Sequence, residues 1–201
     1  MFAVVLVLFI AGCEQKAIQD SGEVLKMQEK GKILLIIAQE GYQPLEYANT
    51  KKELESAGYA VETASLTKNT AKASDGSTTT PSLAVKDANA EDYKAVVLIG
   101  GPDALSLGEH QEVLELIKDA YNTGKIVAAI CISPINLAKA GILSGKQATC
   151  WTDSQKSQVS LLEAAGAVFV DRPVVQDGNI ITANGPDAAT AFGKKIVEAL
   201  S

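Results

Sequence analysis

Histidine occurs once in the 201 residues, at His110. One imidazole excludes a multi-histidine metal centre built within a single chain. Any cysteine–histidine dyad would have to recruit that same residue. Cysteine is nearly as scarce: Cys13, Cys131 and Cys150 are too few for a disulfide framework. Basic residues number 18 against 24 acidic ones, a net charge of −6. With no basic stripe, nucleic acid is not an expected partner. Long apolar runs are missing too. The run over residues 1–12 is too short to cross a bilayer as a helix.

What is present suits one globular domain: 47% of the residues are hydrophobic and 21% charged. Continuous aliphatic runs at 33–38, 95–99 and 126–130 read as buried strands, and 59–64 reads as an alternating one. Helical spacing covers 45–56, 109–122, 135–140, 157–165 and 187–200. Shorter strands are expected at 83–85, 147–151 and 168–170. Segments 173–176 and 180–183 flank Asp177-Gly178-Asn179 and read as a hairpin. Residues 39–44 read as a loop. Residues 66–81, rich in Ser, Thr, Lys and Gly, show no periodicity and read as a surface excursion. Strands alternating with helices predict a three-layer α/β/α sandwich around a mostly parallel sheet.

Residues 1–12 read as the apolar region of a signal peptide. The tetrapeptide at 10–13, Ile-Ala-Gly-Cys, resembles a bacterial lipobox, in which cleavage precedes a cysteine that becomes lipidated. The missing Lys or Arg ahead of the apolar stretch departs from that pattern. On this reading Cys13 anchors the chain to a membrane, residues 13–31 form a polar tether, and the domain spans 32–201. The protein is then an exported lipoprotein on the periplasmic or extracellular face.

The strongest chemical signal is Cys131. The run 126–130 stops there, and Ser133 and Pro134 lead into an Ala-rich helix. A strand-to-helix turn puts the thiol at the carboxyl edge of the sheet. Backbone N–H groups at the helix start favour its thiolate. Gly100-Gly101 ends the preceding core strand, where it allows close backbone approach.

These residues resemble the ThiJ/PfpI (DJ-one) superfamily, with its flavodoxin-like fold shared by class I glutamine amidotransferase domains. The landmarks are a first strand followed by a loop Glu, the strand ending in Gly100-Gly101, and Ala-Ala-Ile-Cys-x-x-Pro at 128–134. After them come Ala-Gly-Ile-Leu-Ser-Gly-Lys at 140–146 and Asp-Gly-Asn-Ile-Ile-Thr-Ala-Asn-Gly-Pro at 177–186. The resemblance implies that Cys131 is the reactive elbow cysteine. It implies that Glu46, twelve residues before Gly58, is its acidic partner, with Glu40 competing from the same loop. Backbone N–H groups of Gly101 and Ile132 would form an anion pocket beside the sulfur.

The implied function is attack of the Cys131 thiolate on small electrophilic carbonyl compounds, as in glyoxalases or deglycases, without metal or organic cofactor, in a homodimer. The alternative is a non-catalytic redox-sensing or binding lipoprotein. Departures bear on this choice. Ile132 stands where protease-like members carry His, so peptidase activity is not expected. Trp151 stands near the His of glyoxalase-like members, and Ile99 replaces a Pro. His110 reads as a surface residue. Cys150 falls on a strand that the resemblance puts beside the Cys131 strand, which makes it a candidate redox partner of Cys131.

Overall fold

The computed structural model describes residues 30–201. The expected signal peptide, Cys13 and nearly all of the expected tether lie outside the described residues. The chain runs β1 (Lys32–Ile36), β2 (Glu40–Tyr42), α1 (Pro44–Ser56), β3 (Ala60–Ser65), β4 (Ala71–Ala73), β5 (Thr78–Thr79) and β6 (Leu83–Ala84). It continues β7 (Ala95–Leu98), α2 (Gln111–Asn122), β8 (Ile126–Ile130), α3 (Pro134–Lys139), β9 (Gln147–Ala148) and α4 (Ser157–Ala164). It closes with β10 (Val168–Phe169), β11 (Val174–Asp177), β12 (Ile180–Ala183) and α5 (Ala189–Ala199).

Seven strands form the central sheet in the order β11-β12-β8-β7-β1-β3-β6. Every pairing in it is parallel except the β11–β12 hairpin. Parallel strands covered on both faces must be apolar throughout, and β7 and β8 are buried at every residue. β1 breaks the rule only at Lys32, its first residue. α2 buries Val113, Leu116, Ile117 and Ala120, the spacing of one helical face. α1 packs on α5, and α2 on α3, so helices flank the sheet in three layers.

Strand order reverses between β1 and β7: β1 leads on to β3 on one side, while β7 and β8 extend the other. In open α/β sheets, ligands bind beyond the strand ends at such a reversal. The ends of β1, β7 and β8 carry the loop before α1, the Gly100-Gly101 pair and Cys131.

Three expectations need correcting. Residues 39–44 are not all loop, since Glu40–Tyr42 forms β2 and pairs with β4. Residues 66–81 are not structureless, because β4 and β5 join β2 in a small three-stranded side sheet. Strands of two or three residues bury too little to print a hydrophobic period. The segment 147–151 is a strand only at Gln147–Ala148, and it pairs with β10 in a separate ribbon. The neighbours of β8 are β7 and β12, so the Cys150 stretch does not lie beside the Cys131 strand within the main sheet.

Candidate active site

Cys131 adopts φ 64°, a left-handed conformation that costs a non-glycine residue about 1–3 kcal/mol. Its neighbours hold it there. Its N–H donates to Ala183 O at 2.8 Å, and its carbonyl accepts the Trp151 N–H at 2.8 Å. Ser133 Oγ donates to Ile99 O at 2.8 Å, tying the turn to the end of β7. Pro134 then opens α3 at a position where a missing N–H costs nothing.

Glu46 reaches the same point from α1. Gln43 caps this helix through its side-chain oxygen, which accepts the Leu45 N–H at 3.2 Å, and Pro44 occupies the first turn. The preceding loop is fastened to the diglycine: Gln43 N–H donates to Gly100 O at 2.8 Å. Gly101 has φ 126°, and a Cβ there would strike the backbone of Gly41 and Gln43. The close approach anticipated for the glycine pair is therefore made by the chain's own loop. A Cβ on Gly100 would collide with Cys131 Cβ and with Glu46 Oε2. Gly100 is the spacer that lets thiol and carboxyl meet.

The Glu46 side chain is fully buried, and its Oε2 accepts the Gly100 N–H at 3.0 Å. Its other oxygen, Oε1, has no partner of hydrogen-bond geometry. Burial pushes the carboxyl up to about 7, against the opposing pull of the Cys131 thiol and the Gly100 N–H. Cys131 is pushed up to about 12, first by burial and then by the Glu46 charge, although the N–H groups of Gly101 and Ile132 act on the sulfur in the other direction. The N–H groups favour the thiolate, in the expected direction, but loss of water outweighs them. Carboxyl and thiol are close enough to shift each other, and two negative charges cannot both persist there. Below about 7 both groups hold their protons; from there up to about 12 the pair holds one between them.

The remaining candidates separate cleanly. Glu40 is exposed in β2, in a groove with Asp103 and Glu109 rather than against the thiol. His110 sits before α2 with Nδ1 3.8 Å from Glu112 and does not line the Cys131 cleft. Cys150 is buried, and burial alone pushes its thiol up to about 12. Both described cysteines are free. Among the described residues, no group of three or more His, Cys, Asp or Glu is placed to hold a metal ion.

Above Cys131 an open cleft of about 420 Å³ is walled by Pro102, Ile132, Trp151 and Pro186, with Gln43 at its side. Sequence reasoning missed Gln43 and Pro186 as walls, and Gly100 as the donor to Glu46. Only the position of Gly100, at the end of a core strand, hinted at its part.

A flavodoxin-like sandwich with a strained elbow cysteine over a buried glutamate defines a class of α/β proteins. Residues 31–199 match the DJ-1/PfpI family, and the chain belongs to it. It is 36% identical over 197 residues to an uncharacterized protein of Methanocaldococcus jannaschii, covering 98% of this chain and 95% of that one. A deglycase of Pyrococcus abyssi is 29% identical over 169 residues, 83% of this chain and 98% of its own length. A glutathione-independent glyoxalase of Caenorhabditis elegans is 28% identical over 167 residues, 83% of this chain and 87% of its own. The crystal structure of a ThiJ/PfpI domain protein from Brachyspira murdochii superposes with a TM-score of 0.79 at 31% identity, over 84% of this chain and 95% of that one.

Proposed function

We propose that this protein is a cysteine-dependent, cofactor-independent enzyme of the glyoxalase or deglycase kind, acting on small electrophilic carbonyl compounds. One observation carries the reading: a fully buried carboxyl at about 7 shares a proton with an elbow thiol at the foot of an open cleft. A group poised near neutral pH can both take and give protons. The names of the deglycase and glyoxalase relatives support the same class of chemistry.

The reaction follows from the pair. Moving the shared proton from Sγ to Glu46 makes the thiolate, which the Gly101 and Ile132 N–H groups hold. The thiolate adds to the aldehyde carbon of a 2-oxoaldehyde. A C–S bond forms, the C=O π bond opens, and the oxygen takes the proton from Glu46. Glu46 then removes the C1 proton and delivers it to C2, while the hydroxyl proton crosses to the C2 oxygen. The product is a thioester of a 2-hydroxy acid. Water cleaves it, releasing the acid and restoring the thiol. The sum is one water added, with no oxidant or reductant. Steady-state turnover of methylglyoxal tests this. Cys131→Ala should abolish it and Glu46→Ala should lower it by about 10²-fold or more. Unchanged turnover in either variant sinks the reading.

A redox-sensing role is the second reading. The observation favouring it is the backbone bond from Trp151 to Cys131, which keeps the chain around Cys150 next to the elbow. A peroxide would convert the Cys131 thiol to a sulfenic acid with loss of water. Attack by Cys150 would then give a disulfide and a second water. The proposal extends to an exported, homodimeric lipoprotein anchored through Cys13. Mass spectrometry of the mature protein addresses both points. A lipid on Cys13, and loss of two hydrogens from the Cys131–Cys150 peptide pair after peroxide, are the expected results. An unmodified N-terminus would remove the anchor, and oxygen additions at Cys131 alone would remove Cys150 from the sensing step.

A further inference from the structure

We infer that Trp151 sets the substrate class of the cleft: 2-oxoaldehydes bearing an uncharged aromatic or bulky apolar group, in preference to glyoxal and to anionic carbonyl compounds. The inference rests on the carbonyl chemistry proposed for Cys131 and adds its recognition element.

Trp151 is 42% exposed, unusual for the largest apolar side chain in a chain with a well-filled core. Its exposed face is spent on the cleft. The Trp151 backbone N–H donates to the Cys131 carbonyl at 2.8 Å, so the main chain that carries the indole is fastened directly to the reacting residue. On its other flank a Cβ at Gly185 would lie 3.8 Å from Trp151 Cδ1, so the ring lies against the turn that carries Pro186. Ile132, Pro102 and Pro186 complete an apolar enclosure, and Gln43 is its one uncharged polar side chain. Its volume of about 420 Å³ holds a molecule well beyond the size of glyoxal.

Charge argues in the same direction. Among the described residues lining the cleft there is no Lys, Arg or His to receive a carboxylate or phosphate. Across Pro102 the cleft adjoins a groove carrying Glu40, Asp103 and Glu109. Their field repels an anion approaching the thiol. A flat aromatic face beside the sulfur instead gains by stacking and by apolar area removed from water.

Two assays test the inference with separable outcomes. The first measures kcat/KM for phenylglyoxal and for glyoxal. The protein should prefer phenylglyoxal, Trp151→Ala should lower the phenylglyoxal-to-glyoxal ratio about tenfold, mainly through KM, and Trp151→Phe should retain most of it. The second needs no turnover: alkylation of Cys131 by N-phenyl iodoacetamide, iodoacetamide and iodoacetate. The phenyl reagent should react fastest and iodoacetate slowest, and Trp151→Ala should erase the phenyl preference. If no 2-oxoaldehyde is turned over while the alkylation preference holds, the carbonyl reading fails and the recognition element stands. If turnover is present but both ratios ignore Trp151, the inference is overturned and the enzyme reading stands. A preference for glyoxal, or iodoacetate as the fastest reagent, overturns it as well.

Discussion

Cys131 and Cys150 both carry thiols pushed up to about 12, and they reach that value by different routes. Cys150 is raised by burial alone: it has lost water and gained nothing that answers the charge. Cys131 is raised by burial and by Glu46, while two N–H groups pull against both. The difference is reversibility. Protonating Glu46 removes its charge and its acceptor role together and leaves the two N–H groups facing the sulfur. Nothing near Cys150 can be switched that way. On the carbonyl-enzyme reading, a high thiol value therefore marks a bystander cysteine in one place and a proton-gated one in the other, and the partner decides which.

Glu46→Gln breaks the comparison most sharply. It should lower turnover of methylglyoxal by about 10²–10⁴-fold, because an amide cannot accept and return a proton. The same change removes the charge that raises Cys131, so the thiol should titrate lower than about 12 and iodoacetamide alkylation at pH 8 should speed up. Lost turnover with a faster thiol is the signature of a proton carrier. If alkylation slows in step with turnover, Glu46 acts only by holding the elbow in shape.

The same substitution sharpens the contrast through stability. The folded protein holds the Glu46 proton up to about 7, whereas the unfolded chain releases it near 4.5. Between those values the folded state binds more protons, so stability falls as pH rises through the window. Two and a half units correspond to a loss on the order of 3 kcal/mol, complete above pH 7. Glu46→Gln escapes it, so urea unfolding should find the variant more stable at pH 8 and little changed at pH 4.5. An equal difference at both pH values would mean that packing, not ionisation, governs the site.

How much of this was legible beforehand depends on burial. β1, β7 and β8 announce themselves because strands covered on both faces must be apolar at every position. The elbow is legible for the same reason: the run breaks at Cys131, three residues before a helix-opening Pro134. Glu46 is not legible from its neighbours, because a carboxylate in a first helical turn normally faces solvent and complements the helix dipole. Only the family resemblance picked it out, and its backbone donor is Gly100, more than fifty residues away in the chain. The β2–β4–β5 side sheet left no pattern because its strands are two or three residues long. The net state of the thiol was not legible for a quantitative reason. The helix-start argument found the correct N–H groups but had no measure of the water excluded around the sulfur.

Cys150→Ala should have the smallest effect, and its pH dependence tests the comparison from the inert side. Removing a buried sulfur costs about 1 kcal/mol in lost packing at pH 7. The unfolded thiol ionises near 9.0, but the folded one does so only at about 12. From pH 9 upward the unfolded chain sheds a proton that the folded protein keeps, and by pH 10 native Cys150 has cost the fold roughly 1.4 kcal/mol. Alanine has no proton to shed, so the variant should be slightly less stable at pH 7 and break even near pH 10. Thermal melting under reducing conditions at the two pH values reads this directly. A variant equally destabilised at both would mean that Cys150 is wetted or partnered in solution, and the division between an inert and a switchable thiol would have to be redrawn.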